Sequence, residues 1–124
     1  MNPKLKVLTV VGTRPEIIKM APVIRALQVH SVPSIVVHSG QHYTHSMDGI
    51  FWEQLGLPQP DFALGVGSAS HAVQTARILE KSEEVFLSAR PDAVLVEGDT
   101  NTVLGAALAA AKLHIRVGHV EAGL

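Results

Sequence analysis

Apolar residues in this chain come in short, nearly unbroken runs, with longer stretches of helical period between them. The runs are Val7 to Val11, Ser34 to His38, Ala93 to Val96 and Ile115 to Val120. They do not alternate strictly with polar residues, which is the pattern of parallel strands covered on both faces. Ile17, Ile18, Ala21, Ile24 and Leu27 or Gln28 then repeat with a helical period. They follow Pro15, suited to a first helical position, and Glu16, which complements the helix dipole. A second helix is expected over 70–87, with Ala72, Ala76, Leu79, Val85 and Phe86 on its apolar side. A third is expected over 102–113, capped by Thr100 or Asn101. Residues 47–55 read as a short helix ended by Gly56 and Pro58, and 56–67 as a loop with room for a short strand at 62–64. This alternation implies right-handed crossovers and an α/β fold, a Rossmann-like, doubly wound, mostly parallel sheet.

In such sheets ligands bind beyond the carboxyl ends of the strands. Each strand end here carries a glycine beside residues capable of charge or acid–base chemistry. They are Gly12-Thr13-Arg14-Pro15-Glu16, Gly40-Gln41-His42-Tyr43, Glu97-Gly98-Asp99-Thr100 and Glu121-Ala122-Gly123. The opposite ends, around Leu5, Pro33, Pro91-Asp92 and His114, are blander. Residues 12–16 open a helix whose unpaired N–H groups and dipole suit a diphosphate, and Arg14 adds a bidentate cation. The segment is neither a G-x-G-x-x-G fingerprint nor a Walker A loop. An ordinary glycine turn with a solvent-exposed arginine would look the same. Lys19, one turn beyond Pro15, either points at the same anion or is solvated. Asp99 either caps the third helix or belongs to a site. Capping does not explain Glu121, and two carboxylates on adjacent strand ends can act as acid and base when their surroundings split their pKa values.

Composition narrows the class. With 124 residues, 47% hydrophobic and 17% charged, the chain is sized for one domain and is not a disordered segment. A net charge of −1 offers nothing to recruit nucleic acid or an anionic membrane. No apolar run approaches the roughly 18 residues of a membrane span, and the N-terminus leads into a strand rather than a signal peptide. A cytoplasmic protein is therefore expected. The absence of cysteine excludes a disulfide framework and a thiolate metal site. His38, His42 and His45 are close in sequence but divided between strand and loop, so no metal site is expected. His42, beside Gln41, is placed to contact a ligand. A receiver-like signalling domain would need an acidic cluster after the first strand, where Gly12-Thr13-Arg14 stands instead.

Five segments together carry a specific resemblance. They are Gly-Thr-Arg-Pro-Glu-Ile-Ile-Lys-Met-Ala-Pro-Val (12–23), Ser-Gly-Gln-His-Tyr (39–43), Gln-Thr-Ala-Arg (74–77), Pro-Asp-Ala-Val-Leu-Val-Glu-Gly-Asp-Thr-Asn-Thr (91–102) and His-Val-Glu-Ala-Gly-Leu (119–124). In this order they resemble the non-hydrolysing UDP-N-acetylglucosamine 2-epimerases, from about Lys6 to Leu124. The resemblance implies that residues 1–124 are an N-terminal Rossmann-like domain, incomplete, from a glycosyltransferase-B-like two-domain fold. The nucleotide sugar would lie between the domains. It implies interconversion of UDP-GlcNAc and UDP-ManNAc through elimination of UDP to a 2-acetamidoglucal and its re-addition, for surface polysaccharide, with no metal or nicotinamide cofactor and a homodimeric parent. By motif position, Asp99 and Glu121 match the family's catalytic carboxylates. Arg14 and Lys19 match its cations, and Gly12, Thr13, Gln41, His42 and Thr100 fall among its substrate-binding positions. Thr44 stands where regulated members carry a second glutamine for an effector, which argues against an allosteric site.

The same resemblance places a further catalytic glutamate, a catalytic histidine and most uridine and diphosphate contacts beyond Leu124. Two alternatives follow. One is an epimerase of a related diacetamido-uronic UDP-sugar. The other is a non-catalytic, truncated nucleotide-binding domain whose helix 102–113 keeps an uncovered apolar face.

Overall fold

The computed structural model describes residues 5–40 and 48–121. Among them, β1 (Val7–Val11), α1 (Arg14–Val29), β2 (Ser34–His38), α2 (Asp48–Gln54), β3 (Phe62–Ala63), α3 (His71–Ala89), β4 (Ala93–Glu97), α4 (Asn101–Lys112) and β5 (Arg116–Val120) follow in order. The strands form one sheet in the order β3-β2-β1-β4-β5, and every pairing is parallel. This is the doubly wound arrangement expected from the alternation of runs and helices, with its direction reversing between β1 and β4.

Each face of the sheet carries its own core. Leu8, Val10, Val94 and Val96 pack with Ile78 and Phe86 of α3 and Val103, Ala106, Ala109 and Ala110 of α4. Val11 and Val36 pack with Ile17, Met20, Ala21 and Ile24 of α1 and with Trp52 of α2. Both faces being covered explains why the strands read as continuous apolar runs. Gly105 lets α3 and α4 approach closely, since a Cβ there would lie 2.7 Å from Ile78 Cγ2 and 3.2 Å from the Leu79 backbone nitrogen.

The helix phases differ in detail from the sequence expectation. In α1, Ile18 is exposed and Met20 takes the inward position, because Glu16, Ile17, Met20, Ala21 and Ile24 form the face against the sheet. In α3, Ala72 and Ala76 lie outside, and Ile78, Ser82 and Phe86 are the buried residues. An alanine contributes so little to a hydrophobic stripe that the larger Ile78 and Phe86 set the rotation. Ser70 caps α3 by accepting from the Val73 N–H.

Candidate functional site

At the reversal point between β1 and β4, the carboxyl ends of β4 and β5 meet the N-terminal turns of α1. An open cleft of about 650 Å³ lies there, lined on one side by Thr13, Glu16 and Lys19 and on the other by Glu97, Asp99, Thr100, His119 and Glu121. The strand-end rule thus brings five sequence candidates together: Thr13, Lys19, Asp99, Thr100 and Glu121.

The α1 side is organised by a capping box. Thr13 Oγ1 accepts from the Glu16 N–H, and the Thr13 N–H and hydroxyl both donate to Glu16 Oε2, at 3.0 and 2.6 Å. Glu16 Oε1 accepts from the Thr100 hydroxyl at 3.3 Å, so one carboxylate ties the start of α1 to the start of α4. Burial pushes the Glu16 carboxyl up from its ordinary range, and the hydrogen bonds from Thr13 and Thr100 partly restore it. Thr100 occupies the N-cap position of α4 but makes no side-chain cap; its hydroxyl donates to Glu16 instead.

A chain of three charged groups joins the α1 side to the opposite one. Lys19 Nζ donates to Glu121 Oε2 at 3.0 Å and lies 3.6 Å from Glu97 Oε1. Glu97 ends β4. Strand alternation puts Leu95 and Glu97 on the α1 side of the sheet, and Glu97 is only 3% exposed. Gly98 then turns the chain with φ at +88°, a conformation glycine adopts without steric cost. Burial and the neighbouring Glu121 raise the Glu97 carboxyl, against the opposing pull of Lys19. Hydrogen bonds from Lys19 and then Glu97 lower that of Glu121. Glu121 itself sits at φ +65°, left-handed backbone that costs an L-residue roughly 1–2 kcal/mol. His119 Nε2 lies 2.6 Å from the Gly98 carbonyl, which can only accept, so that nitrogen carries the proton.

Other candidates are placed differently. Arg14 is exposed and stacks on Phe51, its guanidinium carbon 4.7 Å from the ring centroid, beside the cleft rather than in it. Gly12 lines an adjoining recess with Ser39, Gln74 and Asn101, and a Cβ there would meet Ser39 Oγ at 2.5 Å and Thr102 Oγ1 at 2.6 Å. Gln41 and His42 lie outside the described residues, as does Thr44. Among the described residues, no group of three or more His, Asp or Glu side chains is arranged to hold a metal ion. Sequence reasoning paired Asp99 with Glu121. The structure lines one cleft with both, pairs Glu121 with Lys19, and sets Glu97 3.6 Å from the same lysine; neither Glu97 nor His119 is among the site residues chosen from the sequence. A lone glutamate closing an otherwise apolar strand was the available signal.

The family model of UDP-N-acetylglucosamine 2-epimerase matches residues 25–124. The chain is 55% identical to a UDP-N-acetylglucosamine 2-epimerase of Methanococcus maripaludis, over 96% of this chain and 32% of that protein. It is 46% identical to the UDP-2,3-diacetamido-2,3-dideoxy-D-glucuronate 2-epimerase of Pseudomonas aeruginosa, over 97% of this chain and 34% of that one. It superposes on the Methanocaldococcus jannaschii UDP-GlcNAc 2-epimerase, crystallised with UDP-GlcNAc and UDP, with a TM-score of 0.89 at 51% identity, covering 97% of this chain and 33% of that one. The chain therefore spans about a third of the length of these relatives.

Proposed function

The chain belongs to the UDP-N-acetylglucosamine 2-epimerase family, and from that premise we propose that it supplies one wall of a nucleotide-sugar site in an enzyme interconverting UDP-GlcNAc and UDP-ManNAc. The observation that carries this reading is that the partly exposed Lys19–Glu121 ion pair and Asp99 line one open cleft. In the proposed reaction a carboxylate removes the C2 proton while the C1–O bond breaks, its electron pair leaving with UDP. A proton then returns to the opposite face of C2 and UDP re-adds at C1. Glu121, held ionised by Lys19, is the carboxylate that takes the proton in this reading, and Asp99 is the second proton-transfer group. Arg14 and Lys19 supply positive charge toward the diphosphate, with Gly12, Thr13, Thr100, Gln41 and His42 as further binding positions. No metal or nicotinamide is assigned a step.

We take residues 1–124 as a single Rossmann-like lobe, the second nucleotide-binding wall being supplied by sequence outside them. A one-sided site leaves most of a ligand in water, so the 124-residue chain alone is expected to show no turnover. The test is a chimera in which residues 1–124 replace the matching third of the M. maripaludis relative, incubated with UDP-GlcNAc in D2O. Formation of UDP-ManNAc with deuterium at C2 is expected. A folded chimera that leaves the substrate unchanged overturns the reading. The 46% identity to the Pseudomonas enzyme supports a second substrate, the diacetamido-glucuronate nucleotide, to be assayed alongside.

A further inference from the structure

Thr13 and Thr100 flank the reversal point of the sheet, one before α1 and one before α4, and both line the cleft. Each hydroxyl has a single proton. Thr13 donates its proton to Glu16 Oε2 at 2.6 Å, and Thr100 donates to Glu16 Oε1 at 3.3 Å. The Thr13 N–H is a third donor, to Oε2 at 3.0 Å. Glu16 is 3% exposed, so little water competes for its oxygens. A carboxylate can only accept, which fixes the direction of all three bonds. Both threonines are left with lone pairs alone for any further partner.

The same residue closes the start of α1 to anions. A first helical turn attracts an anion through its unpaired N–H groups. Here Pro15 has no N–H, and the Glu16 N–H is given to Thr13 Oγ1 at 3.4 Å. The Glu16 carboxylate adds negative charge beside that turn. Lys19 is the only lysine or arginine lining the cleft among the described residues, and it is bonded to Glu121 at 3.0 Å. A diphosphate needs donors and positive charge and is poorly served by this wall. A sugar hydroxyl or amide N–H finds acceptors on it.

We infer that Glu16 is a positioning residue that takes up the hydroxyl protons of Thr13 and Thr100, so that both threonines meet the cleft as acceptors and this wall receives the hydroxyl- and amide-bearing sugar of a nucleotide sugar rather than its diphosphate. Glu16 touches no substrate in this scheme and acts through the two threonines. The ligand assignment rests on the proposed nucleotide-sugar reading. The placement of the protons does not, and it is tested without ligand.

Two measurements test it. In the 124-residue chain, proton NMR near neutral pH should show the Thr13 hydroxyl proton protected from solvent exchange and in through-space contact with the Glu16 side chain. A hydroxyl proton that exchanges as fast as a solvated one overturns the proton placement. The second measurement is calorimetric binding of UDP-GlcNAc, and of UDP, which keeps the diphosphate and lacks the sugar. The protein is the M. maripaludis chimera and its T100V, T100S and E16Q variants, with melting curves to verify each fold. T100V should weaken UDP-GlcNAc roughly tenfold, the worth of one hydrogen bond, and leave UDP unchanged. T100S keeps the hydroxyl and should bind both nucleotides as the parent chimera does. In E16Q the side-chain amide can donate to Thr100 and release its proton toward the cleft, so UDP-GlcNAc should weaken while UDP does not. A purely structural role for Glu16 would move both nucleotides together. Equal weakening of both, or no change in either, overturns the proposal. A folded chimera that binds both nucleotides without turnover overturns the proposed reaction and leaves this inference standing, whereas one that fails to bind UDP-GlcNAc overturns both.

Discussion

Single residues at the cleft carry opposite pH dependences. Glu16 is buried and its folded-state pKa is raised above 4.5, so the stability it permits is fully present while it is protonated and is lost as pH rises through that folded value. Glu121 is the reverse case, its contribution falling away as pH drops through its lowered value. Replacing Glu16 by Gln keeps an acceptor for the Thr13 N–H and removes the desolvated charge. The E16Q variant should therefore gain stability relative to the parent as pH rises above 4.5 and lose that advantage on acidification. Urea unfolding at a series of pH values checks the sign. A constant difference across the series would show that Glu16 does not titrate on folding. The cleft's chemistry was only partly legible at this scale. Glu121 stood out because nothing structural explained it. Glu97 and Glu16 looked like a strand end and a dipole charge, because burial depends on which residues the fold brings over them.

At the scale of elements, strand and helix order could be read directly, since continuous apolar runs and capped helical periods are local properties. Rotation of the helices was harder. Ile18 and Met20 compete for the inward face of α1, and the outcome depends on where the sheet lies rather than on hydrophobicity. The contact between α3 and α4 shows the same dependence. Gly105 appears as a weak point in an Ala-rich helix, yet it admits Ile78. Placing alanine there would drive its Cβ into Ile78 and toward the backbone of α3. The loss from overpacking, about 1–3 kcal/mol, should outweigh the roughly 1 kcal/mol that alanine gains in helix propensity. Thermal or denaturant melts of G105A should thus show net destabilisation, and a G105A/I78V pair should recover part of it.

For the whole molecule, the open faces matter most. Among the described residues, Leu104 and Leu108 project from α4 at 58% and 40% exposure, and Val117 of β5 at 38%. The uncovered apolar face expected of helix 102–113 is therefore present, carried by Leu104 and Leu108 while Ala106, Ala109 and Ala110 pack inward. Apolar patches of this kind favour association. The 124-residue chain should elute larger than a monomer at high concentration, and a L104S/L108S variant should shift toward monomer without loss of fold. A parent that is monomeric at all concentrations would show the patch to be tolerated. No described helix is long and apolar enough to cross a membrane.

The bond between Lys19 and Glu121 joins residues 102 apart in the chain, and that between Thr100 and Glu16 joins residues 84 apart. Both cross the seam where the sheet reverses direction. Contacts of such sequence separation must close long loops before they return any stabilisation. The walls of the cleft consequently exist only when both halves of the sheet have formed, and a molecule seated between them acts as a cross-link on the folding of the entire chain. Occupancy of this cleft and survival of the native state are then one equilibrium, so that ligand would slow amide exchange in β2 as much as in β5.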